Sequence, residues 1–579
     1  MKKYIALFAA AAITLSFTAC NENLLDVPQK GVVSTEEFYV SDDACMQALS
    51  GVYASIFHSS MKFMTKMVGL TELLSDDMYK GSSGYKWDDY HTLMLSAFDD
   101  THADICDTYK TFFKCVARAN AVIDNFSDGT SATMKQAVAE AKVLRSWAYI
   151  YVISLWGTPP IVDHVLGGDD MRQPNATKED LWKWTIETLD EAINSGTLPS
   201  KSGPTDQSVV RISKEFALAL KGKAQVFSGD YSGAKTTLKQ VIDSKKYELI
   251  PGDQLSDLFF TSAGNHNTES MFESNTISTA ENYKTAQTYD QWAAYMTPRV
   301  DRHVVKAGSF FSNYPTAWGY YPPSMKIIDA MIKNEGVSSY RFKAWFWTYE
   351  DLQELGIESF NDHRSSKNQK ILDATTYDVP SVDIPVSCKE DYLCENCGFW
   401  SKKFHVYYND VWNKDYGYDK VDRRWFRYAE VLLLYAEACA QLGETSGDGL
   451  TALNQIAERA GAPTYDKLSL PNVKQEKWFE MYGEYCRFID IIRWGDGPVE
   501  LADHYNAVPA FFGYQQGKSA ADLKPDYSNY KEVYELRQFD IKAFRGGVDH
   551  HFRQGQDEIL PFPATELANN PDLVQNPGW

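Results

Sequence analysis

The chain has 579 residues, 44% hydrophobic and 23% charged, which is ordinary for a globular protein but longer than one hydrophobic core usually supports. Its formal charge of −21 would repel phosphate backbones and anionic lipids, so we expect no nucleic-acid partner. Aromatic residues reach 14%, with 35 Tyr and 15 Trp, more than a core alone requires, and we expect some of these rings to be exposed.

The first element in chain order is a short apolar segment that ends near a cysteine. Lys2 and Lys3 precede the uncharged run Ile5–Phe17, and Cys20 follows the small residue Ala19. The 13 residues of this run are too few for a membrane-spanning helix, which takes about 20, and are typical of a signal peptide. We therefore predict that residues 1–19 are removed and that Cys20 carries acyl chains such as palmitate. A lipid anchor would then be the protein's membrane attachment.

Helical periodicity follows, interrupted by one aromatic segment. Ser41-Asp42-Asp43 predicts an N-cap for a helix over 44–57. Lys80–Leu93 contains two glycines and three aromatic residues and predicts a surface loop that displays rings. Further helices are predicted over 105–125, 132–155 and 178–195, the second of them ended by glycine and proline at 157–160.

Two helix pairs resemble tetratricopeptide units, in which small side chains let antiparallel helices approach closely. Residues 214–243 form the first pair, turning at Gly229, and residues 427–461 form the second, turning at Gly443. The two pairs are degenerate and far apart, so we expect a scaffold within a larger helical body rather than a long solenoid.

The segment from about 251 to 425 has a different composition, dominated by glycine, proline, asparagine and aromatic residues. Its clearest helix is predicted over 321–333. Long irregular stretches usually carry function, so we expect ligand recognition in this segment.

The cysteines are too sparse for a disulfide scaffold. Cys388, Cys394 and Cys397 are the one cluster, and only His405 is near enough in sequence to complete a zinc site. In an exported protein a local disulfide with one spare thiol is favoured over zinc. Cys439 and Cys486 lie on apolar helical faces and are predicted to be core residues.

Three C-terminal segments, Arg424–Ala438, Glu476–Gly495 and Ile559–Trp579, contain recognisable motifs. The first is similar to an R-x-A-E-v-x-L-x-x-A-E-A helix, the second to a G-x-R-x-x-D-l-x-R-W-G helix, and the third to a terminal P-i-P-x-x-E…Q-N-P-G-Y segment. These motifs resemble those of the SusD/RagB family of outer-membrane glycan-binding lipoproteins. Glu484-Tyr485 departs from the pattern, since Glu-Gly is more usual near that point. Segments 118–124, 141–149 and 155–160 resemble N-terminal motifs of the family.

The resemblance implies an all-α, SusD-like fold in which the tetratricopeptide-like pairs support a loop-rich, irregular ligand-binding region. It implies a signal peptide (1–19), an N-terminal part (20–250) and a C-terminal part (251–579) that includes a variable region, 251–425. It also implies a surface-exposed outer-membrane lipoprotein that captures an oligo- or polysaccharide without cleaving it. The resemblance implies no cofactor, and it implies delivery of the glycan to a SusC-like TonB-dependent transporter. Peptide-capturing relatives leave a peptide or protein ligand open.

Aromatic residues beside polar ones supply the candidate ligand site. A sugar needs rings that stack on its C–H faces and polar side chains that pair with its hydroxyl groups. Segments 85–90 and 282–321 offer both, with a core role for each ring as the alternative. The candidate residues are Tyr85, Trp87, Asp88, Asp89, Tyr283, Tyr289, Trp292, Asn313, Trp318 and Tyr320. We predict that Trp87 and Trp318 belong to one aromatic platform, and Trp345-Phe346-Trp347 is a weaker candidate.

The charged residues of the helices predicted near residues 430 and 490 allow two interpretations. Glu430 and Glu437 on one helix would suit the acid/base pair of a lipid-anchored glycoside hydrolase. Alternatively, these carboxylates pair with arginines and hold helices in register, because an unpaired buried charge costs several kcal/mol. We favour the second interpretation, and with it the prediction that the protein is not an enzyme.

Other catalytic or metal signatures are missing from the sequence. It contains no His-Glu-x-x-His, no Gly-x-Ser-x-Gly and no P-loop. Residues 413–419 are only faintly similar to a calcium loop and lack the bidentate glutamate at the required spacing. We therefore predict no catalytic residue and no metal site.

Overall fold

The computed structural model describes residues 39–57, 60–81, 89–275, 295–296, 298, 304–313, 319–359, 397–406, 411–413, 418–502, 507–540 and 552–579. The fold is mostly helical, as the all-α prediction requires. The helices of the first half are α1 (Asp42–Phe57), α2 (Ser60–Val68), α3 (Asp89–Met94), α4 (Ala103–Phe126), α5 (Ala132–Trp156), α6 (Lys178–Asn194), α7 (Lys214–Ser228) and α8 (Tyr231–Ser244). A π-helical turn, Gly69–Leu73, continues α2.

The second half has shorter helices and more irregular chain. Its helices are α9 (Asp257–Phe260), α10 (Met325–Glu335), α11 (Tyr340–Trp345), α12 (Tyr349–Glu354), α13 (Tyr428–Gln441), α14 (Asp448–Ala460), α15 (Leu470–Glu480), α16 (Arg487–Arg493), α17 (Gly497–Glu500), α18 (Tyr530–Val533) and α19 (Ala564–Asn569). Short 3-10 turns occur at Gly168–Met171, Gly252–Gln254, Ser262–Gly264, Phe310–Asn313 and Ala520–Asp522.

The strands form two-stranded antiparallel pairs within the described chain. They are β1 (Ser270–Ser274), β2 (Val304–Val305), β3 (Phe346–Thr348), β4 (Ile357–Ser359), β5 (Phe399–Ser401), β6 (Val411–Asn413), β7 (Tyr418–Asp419), β8 (Arg423–Arg427), β9 (Ala507–Tyr514) and β10 (Tyr534–Asp540). The pairs are β1 with β8, β2 with β4, β3 with β5, β6 with β7, and β9 with β10. No described strand belongs to a larger sheet, so the helices provide most of the packing.

Helix ends follow the capping signals of the sequence. Ser131, Thr177 and Ser213 each accept a hydrogen bond from the third backbone N–H of their helix, as N-cap residues do. Gly157, with φ of 78°, ends α5. The largest boundary error is at α10, which begins at Met325 rather than 321 because the Ser324 hydroxyl caps it directly after two prolines.

The predicted loop at 80–93 is partly corrected. Asp89 begins the short helix α3, and Lys80 and Leu93 are buried. Residues 82–88, which contain most of the predicted surface rings, lie outside the described residues.

Close helix contact explains the small residues of the two tetratricopeptide-like pairs. A Cβ on Gly222 of α7 would lie 2.4 Å from the Leu238 Cδ2 atom of α8. A Cβ on Gly449 of α14 would lie 2.6 Å from the Cys439 Cβ atom of α13. Real Cβ atoms do not approach this closely, so glycine at these two positions sets the helix spacing. The predicted core cysteines, Cys439 and Cys486, are both buried.

Buried ion pairs connect the helices, which confirms the structural interpretation of the charged motifs. Arg493 of α16 donates two hydrogen bonds to Glu437 of α13, the longer at 2.6 Å. Lys223 of α7 pairs with Glu430 at 2.8 Å. Both carboxylates are buried and held by cations, which is unsuited to an acid/base pair that faces a sugar.

Arg427 is the centre of a larger ion network. It lies at the end of β8, directly before α13, and not within the helix as the sequence pattern suggested. Its guanidinium contacts Glu269 at 2.6 Å, Glu480 at 2.6 Å and Glu484 at 2.7 Å. All of these side chains are buried, so the network satisfies charges that would otherwise be strongly destabilising.

No helix of the described residues is both long enough and apolar enough to span a membrane.

Candidate functional site

Two chain segments that are far apart in sequence run side by side at the candidate site. The N–H of Tyr79 donates to the carbonyl of Pro322 at 3.0 Å, and the N–H of Gly81 donates to the carbonyl of Tyr320 at 2.8 Å. Met78 and Pro323 form an antiparallel bridge between the same segments. We call residues 76–81 and 319–324 the paired stems. They lead toward the two aromatic segments that the sequence singles out.

The contact between the paired stems requires a glycine. A Cβ on Gly81 would lie 2.2 Å from the carbonyl oxygen of Gly319 and 2.7 Å from Cδ of Pro322. Backbone atoms cannot move away from such a contact cheaply, so Gly81 fixes how closely the two stems approach. Gly319 itself has φ of 55°, in the left-handed region that glycine adopts without strain. The chain between 82 and 88 and the chain before 319 therefore start from neighbouring backbone.

A cluster of tyrosine rings lies where the stems end. The Tyr320 ring is 5.5 Å from the Tyr90 ring and 4.9 Å from the Tyr295 ring. The Tyr320 N–H donates to the Tyr295 carbonyl at 2.8 Å, and Lys80 Nζ lies 5.1 Å from the centre of the Tyr320 ring. Tyr321 is buried and donates its hydroxyl to the carbonyl of Thr65 at 3.0 Å. Segments near residues 80–90, 295 and 320 thus meet at one half-buried ring, Tyr320.

A buried group of acids fixes the base of the stems. Arg487 donates to both Asp76 carboxylate oxygens, at 2.6 and 2.9 Å, and Lys326 contacts the same carboxylate at 2.6 Å. Burial alone would raise the pKa of Asp76, but the Arg487 and Lys326 charges hold it below its usual range. The Asp77 carbonyl accepts from the Ser324 N–H at 2.7 Å. The acid group therefore orients both stems.

Two neighbouring carboxyl groups at this base share a hydrogen bond. Burial, and then the charge of Asp77, raise the pKa of Glu72 well above its usual value. Burial raises the pKa of Asp77 to about 6, against the opposing charge of Arg487. Two carboxylates in contact cannot both be ionised without strong repulsion, so burial and this repulsion both favour a proton shared by the pair.

Most of the predicted ligand residues cannot be placed by the structure. Tyr320 is half-buried at the end of its stem. Asp89 begins α3 and Asn313 ends a 3-10 turn, while their side chains are outside the described part. The remaining candidates lie outside the described residues: Tyr85, Trp87, Asp88, Tyr283, Tyr289, Trp292 and Trp318. Cys20 lies outside them as well.

Other aromatic candidates proved to be core residues. Trp345, Phe346 and Trp347 are all buried, so the prediction that they offer exposed rings was wrong. Trp347 lies 5.6 Å from Phe311 and 4.6 Å from the buried His405 ring. Trp345 ends α11 and Phe346 and Trp347 begin β3, and both elements pack these rings against protein, which the sequence alone could not reveal.

The thiol of Cys397 is free and buried. Its Sγ atom lies 3.7 Å from the carbonyl oxygen of Pro323, and burial raises the pKa of the thiol to about 12. Cys388 and Cys394 lie outside the described residues, so their pairing stays a prediction.

Sequence reasoning missed the residues that hold the stems. Asp76 and Asp77 stand adjacent in the sequence, and adjacent acids after an apolar helix were the available signal. Their cationic partner, Arg487, is 411 positions away. No spacing rule connects such residues, because only the tertiary fold brings them together.

Comparison with known proteins places the chain in a family. The sequence profile described as the SusD family matches residues 259–579. A SusD-like protein of Bacteroides ovatus is 23% identical over 99% of this chain and 97% of its own length. A SusD-like protein of Formosa agariphila is 22% identical over 85% of this chain and 92% of its own length.

Solved structures share the fold. A laminarin-binding SusD-like protein has a TM-score of 0.67 at 20% identity and covers 93% of this chain and 99% of its own. Surface glycan-binding protein A from Bacteroides thetaiotaomicron, in complex with laminarihexaose, has a TM-score of 0.65 at 19% identity, covering 93% of this chain and 100% of its own. At such identities the likeness concerns the fold alone. Since the family profile covers more than half of the sequence, the chain belongs to the SusD family.

Proposed function

We propose that this protein captures a glycan without cleaving it, at a site built around Tyr320 and the loops that the paired stems support. The observation that carries the proposal is the meeting of three aromatic segments at Tyr320. Stacked and edge-on rings beside polar groups match the alternating C–H faces and hydroxyl groups of a sugar. Relatives with the same fold include proteins whose names specify laminarin and other surface glycans.

The rigid base of the site also supports a binding function. Ion-paired and hydrogen-bonded stems hold their backbone in one arrangement, which lowers the conformational cost of binding. Lys80 is only 1% exposed and lies beside the Tyr320 ring, so even the long side chain at the stem's end is immobilised. We propose that Trp87 and Trp318, at the loops beyond the stems, contribute to one stacking platform.

We further propose that the protein works at the outer-membrane surface. Cys20 after the apolar run supports a lipid anchor. A binding protein without a nucleotide motif or a spanning helix among its described residues needs a partner channel, and the family resemblance indicates a SusC-like TonB-dependent transporter. Mild-detergent purification should co-isolate such a barrel with the wild-type protein. Repeated isolation of the lipoprotein alone would contradict this partner.

The ligand site is tested by removing its rings one at a time. Loss of a stacking ring removes aromatic contact energy of about 0.5–1.5 kcal/mol. It also removes the contribution of buried apolar surface, about 25 cal/mol per Å². The affinity for the glycan should therefore fall more than about tenfold. We expect Trp87→Ala and Trp318→Ala to abolish retardation in affinity gels that contain laminarin or another polysaccharide of a host and plant panel. The matched control is Tyr340→Ala, which removes a ring that is 50% exposed on α11.

The outcomes separate the candidate functions. Normal melting temperatures with lost retardation support the site, while unfolding of a tryptophan variant shows that its ring belongs to the core. Retardation by no polysaccharide, together with binding to cationic peptides, would favour the peptide-capturing alternative. New reducing ends after incubation with polysaccharide would refute the non-enzymatic proposal.

A further inference from the structure

A histidine lies between two buried carboxylates near the β1–β8 pair. His266 Nδ1 is 3.3 Å from Glu273 Oε2, and His266 Nε2 is 3.3 Å from Asp422 Oδ2. The carboxylate side chains are 3% and 5% exposed, whereas the imidazole is 29% exposed. The two carboxylates are therefore buried, and the partly exposed imidazole leaves the group open to solvent on one side.

The separations of these groups suit a small cation. One imidazole nitrogen and one oxygen from each carboxylate lie within 4.8 Å of one another, and no other such group occurs in the part of the chain that the structure describes. Around a zinc ion, ligand atoms at about 2.1 Å stand roughly 3.4 Å apart in a tetrahedral arrangement. The three atoms lie within 4.8 Å of one another, which is somewhat wider, so binding an ion would require the side chains to rotate toward it.

Surrounding residues already hold the Glu273 carboxylate in place. Arg424 Nε contacts Glu273 Oε1 at 2.9 Å, and the Ser270 hydroxyl donates to the same oxygen. The backbone N–H of His266 donates to Glu273 Oε2 at 2.9 Å. Such contacts orient ligating groups in metal sites and are a common part of their design.

The two chain segments are also joined beside the group. The Asn265 side chain donates to the carbonyl of Lys420 at 2.9 Å and accepts from the N–H of Asp422 at 2.9 Å. His266 has φ of 51°, a left-handed conformation that costs a non-glycine residue free energy, although histidine adopts it more often than most. The backbone thus maintains an unfavourable conformation that presents the imidazole to both carboxylates.

We propose that His266, Glu273 and Asp422 bind a divalent transition-metal ion such as Zn²⁺, with water completing its coordination. Imidazole favours zinc and neighbouring transition metals, whereas calcium takes oxygen ligands. A bound ion would join β1 to the chain that leads into β8 and would stabilise this junction. The site is separate from the proposed glycan site and does not depend on it.

The test uses the full-length protein, stripped with EDTA and then titrated with ZnCl₂ while thermal unfolding is followed by circular dichroism. A ligand that binds only the folded state raises the melting temperature in a concentration-dependent way. We expect the melting temperature of the wild type to rise with zinc. In His266→Gln we expect no such rise and zinc binding that is at least about tenfold weaker. Co²⁺ gives a second readout through its visible absorption bands.

His164 offers a matched control because it also lies between carboxylates, with Nδ1 2.7 Å from Asp163 and Nε2 3.4 Å from Asp170, but on the surface. His164→Gln should respond to zinc as the wild type does. Asp422→Asn tests the site independently should His266→Gln fail to fold. The proposal would be overturned if the wild type did not respond to zinc or responded to calcium only. It would also be overturned if the zinc response persisted in His266→Gln or Asp422→Asn.

Discussion

At the scale of single residues, Tyr485 shows how packing compensates for backbone strain. Its φ of 61° is left-handed, which costs a residue with a side chain about 1–2 kcal/mol. Its ring stacks on Trp425 at 4.7 Å and is 2% exposed. Burial of an aromatic ring contributes more than this strain costs. The ring of Tyr485 thus fills core space that a glycine at this position would leave empty.

The Glu72–Asp77 pair makes stability depend on pH. The folded protein raises the pKa of Glu72 above the 4.5 of an ordinary glutamate, so it retains a proton that the unfolded chain releases. The free energy of unfolding should then fall as the pH rises above about 4.5, by up to about 1.4 kcal/mol per pH unit, until the raised pKa is reached. Asp77, whose pKa is raised to about 6, adds to the fall in the lower part of that window.

We predict that Glu72→Gln flattens this decline. The amide keeps an acceptor for the Cys486 N–H and supplies a donor to Asp77 without titrating. Urea unfolding at several values between about pH 5 and 8 would give the slope. The exposed Glu187 of α6 provides the control, Glu187→Gln, which should follow the wild type. Equal slopes in Glu72→Gln and the wild type would show that the pair does not hold a proton.

At the scale of helices and strands, buried charges fix the register of α13 and α16. Glu437 accepts from both terminal nitrogens of Arg493 and from the Trp494 indole at 2.8 Å. Removing one partner leaves a buried charge uncompensated, which costs about 3–5 kcal/mol, whereas replacing both partners by apolar groups can be nearly neutral.

We predict that Arg493→Met destabilises the protein by about 3–5 kcal/mol and that Glu437→Leu in the same chain restores most of the loss. Urea unfolding of the wild type, both single variants and the double variant forms a double-mutant cycle. Lys474→Met, which removes a more exposed partner of Asp496, is the control and should cost at most about 1 kcal/mol. Additive losses at Arg493 and Glu437 would refute the direct coupling.

Local signals in the sequence predicted elements better than they predicted the site. Apolar periodicity and the glycines that end or join helices anticipated α5, α7 and α8 to within a few residues. The start of α10 was misplaced because Tyr321, although apolar and in phase, belongs to a paired stem. Periodicity likewise could not distinguish the buried Trp345 and Trp347 from exposed rings. Contacts across hundreds of residues, such as Gly81 with Gly319, have no local signal.

At the scale of the whole molecule, the end of the chain packs against helices of the first half. The N–H of Leu560 donates to the carbonyl of Leu155 at 2.7 Å, and the Trp156 indole donates to the carbonyl of Pro561 at 3.0 Å. The Trp579 ring stacks on Phe98 at 5.1 Å. The terminal motif is thus a structural connection between segments that the chain separates by more than 400 residues.

Asn576 is the most sharply testable part of this connection. Its buried amide donates to the carbonyl of Trp156 at 2.8 Å and to the carbonyl of Leu560 at 2.7 Å. Asn576→Leu would leave the buried Leu560 carbonyl without this donor, at about 1–3 kcal/mol, and would remove one hydrogen bond, worth about 0.5–1.5 kcal/mol, from the Trp156 carbonyl, which still accepts from the Thr158 N–H at 2.9 Å. Asn576→Asp should be at least as harmful near neutral pH, because a carboxylate has no donor to offer and faces two carbonyl oxygens.

We therefore expect both Asn576 variants to lower the free energy of unfolding by about 1.5–4.5 kcal/mol and the melting temperature with it. Asn472→Leu is the control, since that amide donates to one carbonyl at an exposed position. Because Asn576 joins the C-terminal segment to the end of α5, fluorescence and circular dichroism should report one coincident transition in the wild type. Two separated transitions in the wild type, or Asn576 variants as stable as the control, would show that the terminal segment does not couple the halves of the molecule.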